Sequence, residues 1–196
     1  MELSAHEYYC SHTKNINFNG KTFVPFMNVT EIEDILNKIS RQINNHYKEK
    51  QTIEDPLIIV GILNGSFMFL ADLVKHLNIH CEMHFVKVSS YEGTNTTGTI
   101  TNIIGLNTDI KNKNVLIVED IIDTGLTINN ILKTLNKEEP NSLDICTLLF
   151  KKEKYVGDDI EIKFIGKEIR DDFVIGYGLD YNGAGRQLDQ IYALKK

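Results

Sequence analysis

Three carboxylates lie close together near the middle of the chain, beside a short threonine-glycine turn. Glu119 and Asp120 end an apolar run that begins at Val115, and Asp123 directly precedes Thr124-Gly125. Such a run is typical of a strand that is buried on both faces of a parallel sheet. Ligands of open parallel sheets bind outside the carboxyl ends of the strands. We therefore expect a ligand site at this strand end, although two solvated carboxylates are the ordinary alternative for Glu119 and Asp120 taken alone.

The turn after these carboxylates can bind a phosphate. A helix has unpaired N–H groups at its start, and Thr124-Gly125 stands at the entrance of a predicted one. Acidic side chains beside a phosphate suit a ligand that also carries neutral hydroxyls, a developing positive charge or a metal ion. The helix is indicated after Thr127 by apolar residues at helical spacing: Ile128, Ile131, Leu132 and Leu135.

The composition is that of an ordinary globular protein. The 196 residues are 42% hydrophobic and 24% charged, which predicts one domain with a full core. A formal net charge of −6 without a basic block argues against nucleic acid as the main partner. No apolar run follows a basic start or reaches membrane-spanning length, so we predict a cytoplasmic protein without a membrane partner. Cys10, Cys81 and Cys146 lack CxxC spacing, which favours free thiols over disulfides or structural zinc.

Strand-like and helix-like segments alternate along the chain. This order predicts an α/β fold with a mostly parallel core sheet flanked by helices. Helices are expected at residues 31–47, with a capping box of Thr30 and Glu33, from Phe67 onward, and after Thr127. Strands are expected near residues 22–26, 57–61, 82–91, 115–119, 142–150, 160–165, 173–179 and 190–194.

Two other segments are candidates for ligand contact. Leu63-Asn64-Gly65-Ser66 joins a predicted strand to a helix, and Gly65 is either a plain turn residue or a point of close backbone approach. The polar stretch 92–99 after Ser90-Tyr91 is either a surface loop or a mobile lid, and its glycines favour the lid.

Three histidines at four-residue spacing raise the possibility of a metal site. His76, His80 and His84 would need one continuous helix to place them on one face. The helical pattern ends near residue 78 and His84 falls in the next predicted strand. The spacing therefore disfavours a metal site here.

The ordered set of motifs resembles the type I phosphoribosyltransferases, and within them the hypoxanthine-guanine phosphoribosyltransferases. Residues 115–127 match the phosphoribosyl-pyrophosphate (PRPP) motif of that family, and the match covers about residues 10–194. The resemblance implies a single domain of residues 1–196, with a core of about 30–166 and a small hood from about 1–29 and 167–196. Further matches occur in the family's order at Leu63-Asn64-Gly65-Ser66, Ser90-Tyr91, Lys151, residues 173–180, Asp180-Tyr181-Asn182 and Arg186.

The same resemblance implies an activity in purine salvage. The 5-phosphoribosyl group of PRPP would pass to hypoxanthine or guanine, giving IMP or GMP and pyrophosphate, with Mg²⁺ as cofactor. A homodimer or homotetramer is also implied.

Family roles carried over by position implicate the following residues. Glu119 and Asp120 would hold the ribose hydroxyls, and Asp123 would be the general acid/base. The 5-phosphate would meet Asp123, Thr124, Gly125, Leu126 and Thr127, and pyrophosphate would meet Asn64, Gly65 and Arg186. The base would meet Lys151, Phe173 and Val174, Mg²⁺ would meet Asp180 with Glu119 and Asp120, and the lid would contribute Ser90 and Tyr91.

Lys151 bears on the choice of base. An ammonium group only donates hydrogen bonds, so it suits the carbonyl oxygen of a 6-oxopurine and mismatches the amino group of adenine. Taken alone, Lys151 would be an ordinary surface lysine and Phe173 an ordinary core residue. Asn64 stands where some relatives carry Lys or Arg, so we expect backbone rather than side-chain contacts from that loop.

Two other functions are compatible with the same motifs. A PRPP-sensing regulator uses the same fold, but it should add a basic face or a helix-turn-helix segment, and neither is visible. An enzyme for adenine, xanthine or a pyrimidine is the other alternative. The sequence does not rank hypoxanthine, guanine and xanthine.

Overall fold

The computed structural model of the protein describes residues 14–90, 101–157 and 161–196, with residues 88–90 and 101–104 as backbone only. Within these ranges the α-helices are α1 Val29–Tyr47, α2 Phe67–Lys75 and α3 Leu126–Leu135. Short 3₁₀ turns occupy Asn136–Glu138 and Lys152–Lys154. The strands are β1 Ile16–Phe18, β2 Lys21–Met27, β3 Leu57–Leu63, β4 Cys81–Ser90, β5 Thr101–Ile104, β6 Asn114–Ile122, β7 Ser142–Phe150, β8 Phe164–Glu168, β9 Val174–Ile175 and β10 Ile191–Leu194.

A six-stranded sheet forms the centre of the molecule. Its order is β5-β4-β3-β6-β7-β8, and every neighbouring pair is parallel except β4 and β5. The predicted α/β fold with a mostly parallel core sheet flanked by helices is confirmed. Because β3 and β6 are adjacent and parallel, the turn after β3 and the carboxylates of β6 meet at one edge of the sheet.

Helices cover both faces of this sheet. Along β6, Leu116 and Val118 join the cluster packed under α1 and α2, whereas Val115 and Ile117 join the cluster packed under α3. Alternate side chains therefore enter opposite cores, which explains why the strand is continuously apolar.

A second sheet, antiparallel and four-stranded, is built from both ends of the described chain. Its order is β1-β2-β10-β9, with Met27 opposite Ile191 and Ile175 opposite Tyr192. This sheet brings the segment before β9 to the carboxyl edge of the parallel sheet. The division of the chain into a core and a hood at the stated boundaries stays a prediction.

Helix α1 begins two residues earlier than predicted. The capping box is formed by Asn28, whose side chain accepts from the Glu31 N–H at 2.9 Å, and by Glu31, whose carboxylate accepts from the Asn28 N–H at 2.9 Å. Thr30 already lies inside the helix. Both pairs have capping-box spacing, and the extended backbone at Asn28 decides between them.

Several strand boundaries were also wrong. β6 continues to Ile122, so Glu119 and Asp120 lie within the strand and not at its end. The strand expected at 160–165 begins only at Phe164, and residues 158–160 lie outside the described residues. The strand expected at 173–179 ends at Ile175, because Gly176 and Gly178 have φ near +97° and turn the chain. Strands β1 and β5 were not predicted.

His76, the first of the three evenly spaced histidines, lies beside a carboxylate of α1. His76 contacts the Glu33 carboxylate at 2.9 Å. Within the described ranges, no group of three or more His, Cys, Asp or Glu is arranged to hold a metal by itself. None of the described helices is long and apolar enough to cross a membrane.

Candidate active site

The two adjacent carboxylates of β6 project from opposite faces of the strand. Asp120 is 8% exposed, and Glu119 has a buried Oε2 without a hydrogen-bond partner in the described part of the chain. Burial raises the pKa of Asp120 to about 6, with a smaller contribution from Asp180, against the opposing backbone N–H groups and Arg186. Burial, and then the charge of Asp120, raise the pKa of Glu119 well above its ordinary range. Both carboxyl groups are therefore shifted towards the neutral form, which still offers a carbonyl oxygen to the hydroxyl of a ligand.

The turn after β3 lies directly against Asp120. A Cβ atom on Gly65 would be 1.8 Å from Asp120 Oδ2, so only glycine fits between the turn and the carboxylate. The Leu63–Asn64 peptide is cis, and the Asn64 side chain is exposed. From the other side, a Cβ on Gly178 would be 2.0 Å from the Gly65 carbonyl oxygen. Three chain segments therefore converge at Gly65, through the Asp120 carboxylate on one side and the Gly178 backbone on the other.

The predicted phosphate turn is a helix N-terminus without a side-chain cap. Gly125 occupies the N-cap of α3 in a left-handed conformation with φ of 83°. The Leu126 N–H is 3.5 Å from Thr124 Oγ1, a long contact, and Thr127 is exposed. The first turn of a ten-residue helix thus presents N–H groups and hydroxyls to an anion.

The Lys151 ammonium lies beside Asp123. The side chain of Lys151 is 7% exposed, and its Nζ is 3.2 Å from Asp123 Oδ2. Lys154 contacts the same carboxylate at 3.1 Å, and Asp171 contacts both ammonium groups. Hydrogen bonds from Lys151 and then Lys154 hold the pKa of Asp171 below its ordinary value. Lys151 is therefore a buried, paired cation rather than the surface lysine of the alternative interpretation.

An aromatic side chain borders the same cavity. Phe173 is 45% exposed, and its ring packs edge-on against Tyr181 at 5.6 Å between centroids. Val174 is buried in β9. A cavity of about 240 Å³ is lined by these two residues together with Asp120, Ile121, Asp123, Lys151, Leu179 and Asp180. A flat ring can lie on Phe173 while its edge meets Lys151 and the Val174 backbone.

Asp180 and Arg186 form an ion pair at the rim of this cavity. Arg186 Nη2 is 2.6 Å from Asp180 Oδ1, and Nη1 donates to the Gly178 carbonyl oxygen at 2.7 Å. The second carboxylate oxygen of Asp180 accepts from the Gly183 N–H at 2.7 Å. This arrangement fixes a cation and an anion beside Asp120.

The structure brings most predicted site residues to one edge of the parallel sheet. Ser90 is described only as the last backbone residue of β4, and Tyr91 with the predicted lid of 92–99 lies outside the described residues. Sequence reasoning missed Lys154 and Asp171, and it named Tyr181 only within the Asp180-Tyr181-Asn182 match, without a role. The spacing of Lys154 three residues after Lys151 was the available signal, whereas Asp171 was not recognisable before the path from β8 to β9 was known.

A mostly parallel sheet carries two adjacent carboxylates, an uncapped helix start and a small cavity at its carboxyl edge, and this arrangement points to the phosphoribosyltransferases. A model of the phosphoribosyl transferase domain matches residues 28–182. The chain is 44% identical over 166 residues to a hypoxanthine-guanine phosphoribosyltransferase of Staphylococcus aureus, covering 84% of this chain and 89% of that protein. The chain belongs to the hypoxanthine-guanine phosphoribosyltransferase family of type I phosphoribosyltransferases.

Solved structures agree with this assignment. A crystal structure of a hypoxanthine phosphoribosyltransferase from Staphylococcus aureus has a TM-score of 0.78 and 42% identity, covering 87% of this chain and 90% of that one. A ternary substrates complex of a mutant hypoxanthine phosphoribosyltransferase from Trypanosoma cruzi has a TM-score of 0.82 and 34% identity. The match covers 87% of this chain and 94% of that one. The likeness therefore extends over nearly the whole fold.

Proposed function

We propose that the protein transfers the 5-phosphoribosyl group of PRPP to a ring nitrogen of hypoxanthine or guanine, releasing IMP or GMP and pyrophosphate in purine salvage. The observation that carries this proposal is the buried Lys151 ammonium 3.2 Å from the Asp123 carboxylate, beside the exposed ring of Phe173. A donor-only cation matches a 6-oxo group, and a neighbouring carboxylate matches a ring N–H that must lose its proton.

Asp123 is the general base in this proposal. As the bond between C1′ and the pyrophosphate oxygen breaks, a bond from the purine nitrogen to C1′ forms. The proton of the purine's imidazole N–H passes to Asp123, and the electrons of the broken bond between C1′ and oxygen stay on pyrophosphate. Lys151 stabilises the negative charge that the purine gains at its oxo group. Phe173 and the backbone of Val174 hold the ring in plane for attack.

Glu119 and Asp120 serve the sugar. Their buried oxygens accept hydrogen bonds from the ribose hydroxyls, and the negative charge of Asp120 stabilises the positive charge that develops on the ribose ring. Glu119 Oε2 has no hydrogen-bond partner among the described residues, and this supports the role, because a buried polar atom without a partner is costly until a ligand supplies one.

The two phosphate groups of PRPP bind at different turns. The 5-phosphate lies at the start of α3, on Thr124, Gly125, Leu126 and Thr127, with Asp123 at the edge. Pyrophosphate lies against the backbone of Asn64 and Gly65 and meets Arg186. The close packing of Gly65 on Asp120 supports this placement, because it sets the pyrophosphate turn beside the ribose carboxylates.

Mg²⁺ is part of the proposal. Magnesium prefers oxygen ligands and commonly binds through one or two carboxylates plus substrate phosphates. Asp180, with Asp120 and Glu119 nearby, supplies such carboxylates, and they fit an ion that arrives with PRPP better than one held by protein alone. When bound, the ion stabilises the negative charge of the leaving pyrophosphate.

The compartment and the assembly complete the proposal. The free thiols of Cys81 and Cys146 support a reducing, cytoplasmic compartment. The homodimer or homotetramer and the lid containing Ser90 and Tyr91 rest on the family resemblance.

A panel of free bases tests the function. The protein is incubated with PRPP, Mg²⁺ and one of hypoxanthine, guanine, xanthine, adenine or uracil, and pyrophosphate release is measured. Release with hypoxanthine or guanine, and little with adenine or uracil, supports the proposal. PRPP binding without release for any base would indicate the regulator instead.

A further inference from the structure

Two lysines and two aspartates form a closed ring of ion pairs on one side of the cavity. Lys151 Nζ is 3.2 Å from Asp123 Oδ2 and 3.0 Å from Asp171 Oδ1. Lys154 Nζ is 3.1 Å from Asp123 Oδ1 and 3.2 Å from Asp171 Oδ1. Each charged group therefore contacts both groups of opposite sign. Asp123 and Lys151 act on the base in the proposed function, whereas Asp171 and Lys154 have no role there.

Local backbone structure places these four groups together. The Lys151 N–H donates to the Ile122 carbonyl oxygen at 2.9 Å, which sets the turn beside Asp123. The Lys154 N–H donates to the Lys151 carbonyl oxygen at 3.1 Å in a 3₁₀ turn, where side chains three residues apart lie on the same side. Asp171 enters from the connection between β8 and β9, two residues before Phe173.

The four side chains differ in burial. Lys151 is 7% exposed, compared with 39% for Asp123, 41% for Lys154 and 57% for Asp171. A buried ammonium group depends on its anionic partners, and losing both would be strongly unfavourable. Asp123 stops being an anion when it accepts the purine proton. Asp171 is the partner that still carries a negative charge at that moment.

We propose that Asp171 is a positioning residue that holds the Lys151 ammonium at the 6-oxo group of the purine, and that Lys154 keeps Asp123 aligned with the ring N–H. This inference rests on the proposed function. The purine N–H bond breaks and an O–H bond forms on Asp123, while Asp171 and both ammonium groups keep their protonation states. The ring thus lets Asp123 change its charge without releasing Lys151.

Each positioning residue should affect a different kinetic constant. Asp171→Asn should raise the KM for hypoxanthine about tenfold and reduce discrimination against adenine, because Lys151 loses a charged hydrogen bond that orients it. Lys154→Gln should lower kcat about tenfold with a smaller change in that KM, because Asp123 is less well aligned. The KM for PRPP should be unchanged in both variants. Asp171→Glu, which keeps the charge, should recover most of the parent's affinity for hypoxanthine.

A neighbouring ion pair supplies matched controls. Lys152 Nζ is 3.6 Å from Glu168 Oε1 and links the same two chain segments outside the ring. Lys152→Gln and Glu168→Gln should leave all constants at parental values, and thermal unfolding of every variant measures any loss of fold.

Steady-state kinetics with hypoxanthine, adenine and PRPP test the positioning roles of Asp171 and Lys154. A selective rise in the hypoxanthine KM for Asp171→Asn and a selective fall in kcat for Lys154→Gln support the inference. Constants equal to those of the control variants overturn it while leaving the proposed function intact. A parent protein that releases no pyrophosphate with any 6-oxopurine overturns both.

Discussion

A methyl group on Gly65 would lie 1.8 Å from the Oδ2 atom of Asp120. The turn that follows β3 therefore rests directly on a carboxylate near the end of β6, the neighbouring strand. Because these two residues serve pyrophosphate and ribose in the proposed function, their contact fixes the distance between two parts of one substrate.

Gly65→Ala should raise the KM for PRPP. The added methyl forces either the turn or the Asp120 carboxylate to move, and overpacking of this kind costs about 1–3 kcal/mol of folding stability. We expect the KM for PRPP to rise at least about tenfold, since small displacements in a binding site have large kinetic effects. Gly20→Ala, in the turn between β1 and β2, is the control for activity. A Cβ there meets nothing within 4 Å, but its φ of +74° strains the backbone, so thermal unfolding of this variant is measured as well. A parental KM for PRPP in Gly65→Ala would contradict the proposed packing.

Asp120→Asn should stabilise the fold while weakening PRPP binding. The pKa of Asp120 is about 6 in the folded protein against 3.8 ordinarily, so ionisation costs about 3 kcal/mol of folding stability at neutral pH. Since the folded-state pKa is the raised one, the parent gains stability as the pH falls from above 6 towards 3.8. The difference in the free energy of unfolding between Asp120→Asn and the parent should be largest above pH 6 and vanish below pH 3.8. Denaturant unfolding of both proteins from about pH 3.5 to 8 measures this, and an Asp120→Asn protein less stable than the parent at about pH 8 would refute it.

Gly125→Ala should selectively impair 5-phosphate binding. Alanine at φ of 83° is strained, and its Cβ would be 2.1 Å from Cε2 of the Tyr155 ring. Isothermal titration with IMP should show affinity reduced at least about tenfold, since the N–H groups of the α3 start are displaced. Free hypoxanthine binding should change much less. Equal losses for IMP and hypoxanthine would indicate a general collapse of the site instead.

Lys151→Gln should change the base preference. A glutamine amide both donates and accepts, so it tolerates the amino group of adenine, whereas the lysine ammonium does not. We expect kcat/KM for hypoxanthine to fall about tenfold or more and the hypoxanthine-to-adenine ratio to narrow. Lys152→Gln, with an exposed side chain, controls for the loss of one positive charge. An unchanged ratio would mean that Lys151 does not read the 6-position.

The sequence predicted the parts of the fold that depend on local patterns. The apolar runs of β3, β6 and β7 were found because burial on both faces of a strand leaves a continuous apolar run. The helical stripes of α1 and α3 were found because burial of one helix face leaves a distinct period. The capping box was misplaced because Asn28 and Thr30 have equivalent spacing to a glutamate. The segment after Ile175 was misassigned because its apolar residues resemble a strand while its glycines turn the chain.

The site was predictable only where its residues are contiguous in the sequence. Glu119, Asp120, Asp123 and the turn to Thr127 are contiguous, so their proximity follows from the chain itself. The Lys154 and Asp171 contacts join residues 17 positions apart in sequence and depend on how β8 leads into β9. The contact of Gly65 with Asp120 likewise needs the order of two strands that the sequence separates by β4 and β5.

Single-turnover chemistry of Asp123→Asn is the most direct test of the central claim, that one carboxylate held by Lys151 and Lys154 accepts the purine proton. Enzyme is saturated with PRPP and Mg²⁺ and mixed with limiting hypoxanthine, and IMP formation is followed on the millisecond scale. We expect the chemical rate of Asp123→Asn to be lower by about 10²- to 10⁴-fold, with the Kd for PRPP near its parental value. Equal single-turnover rates for Asp123→Asn and the parent would contradict it.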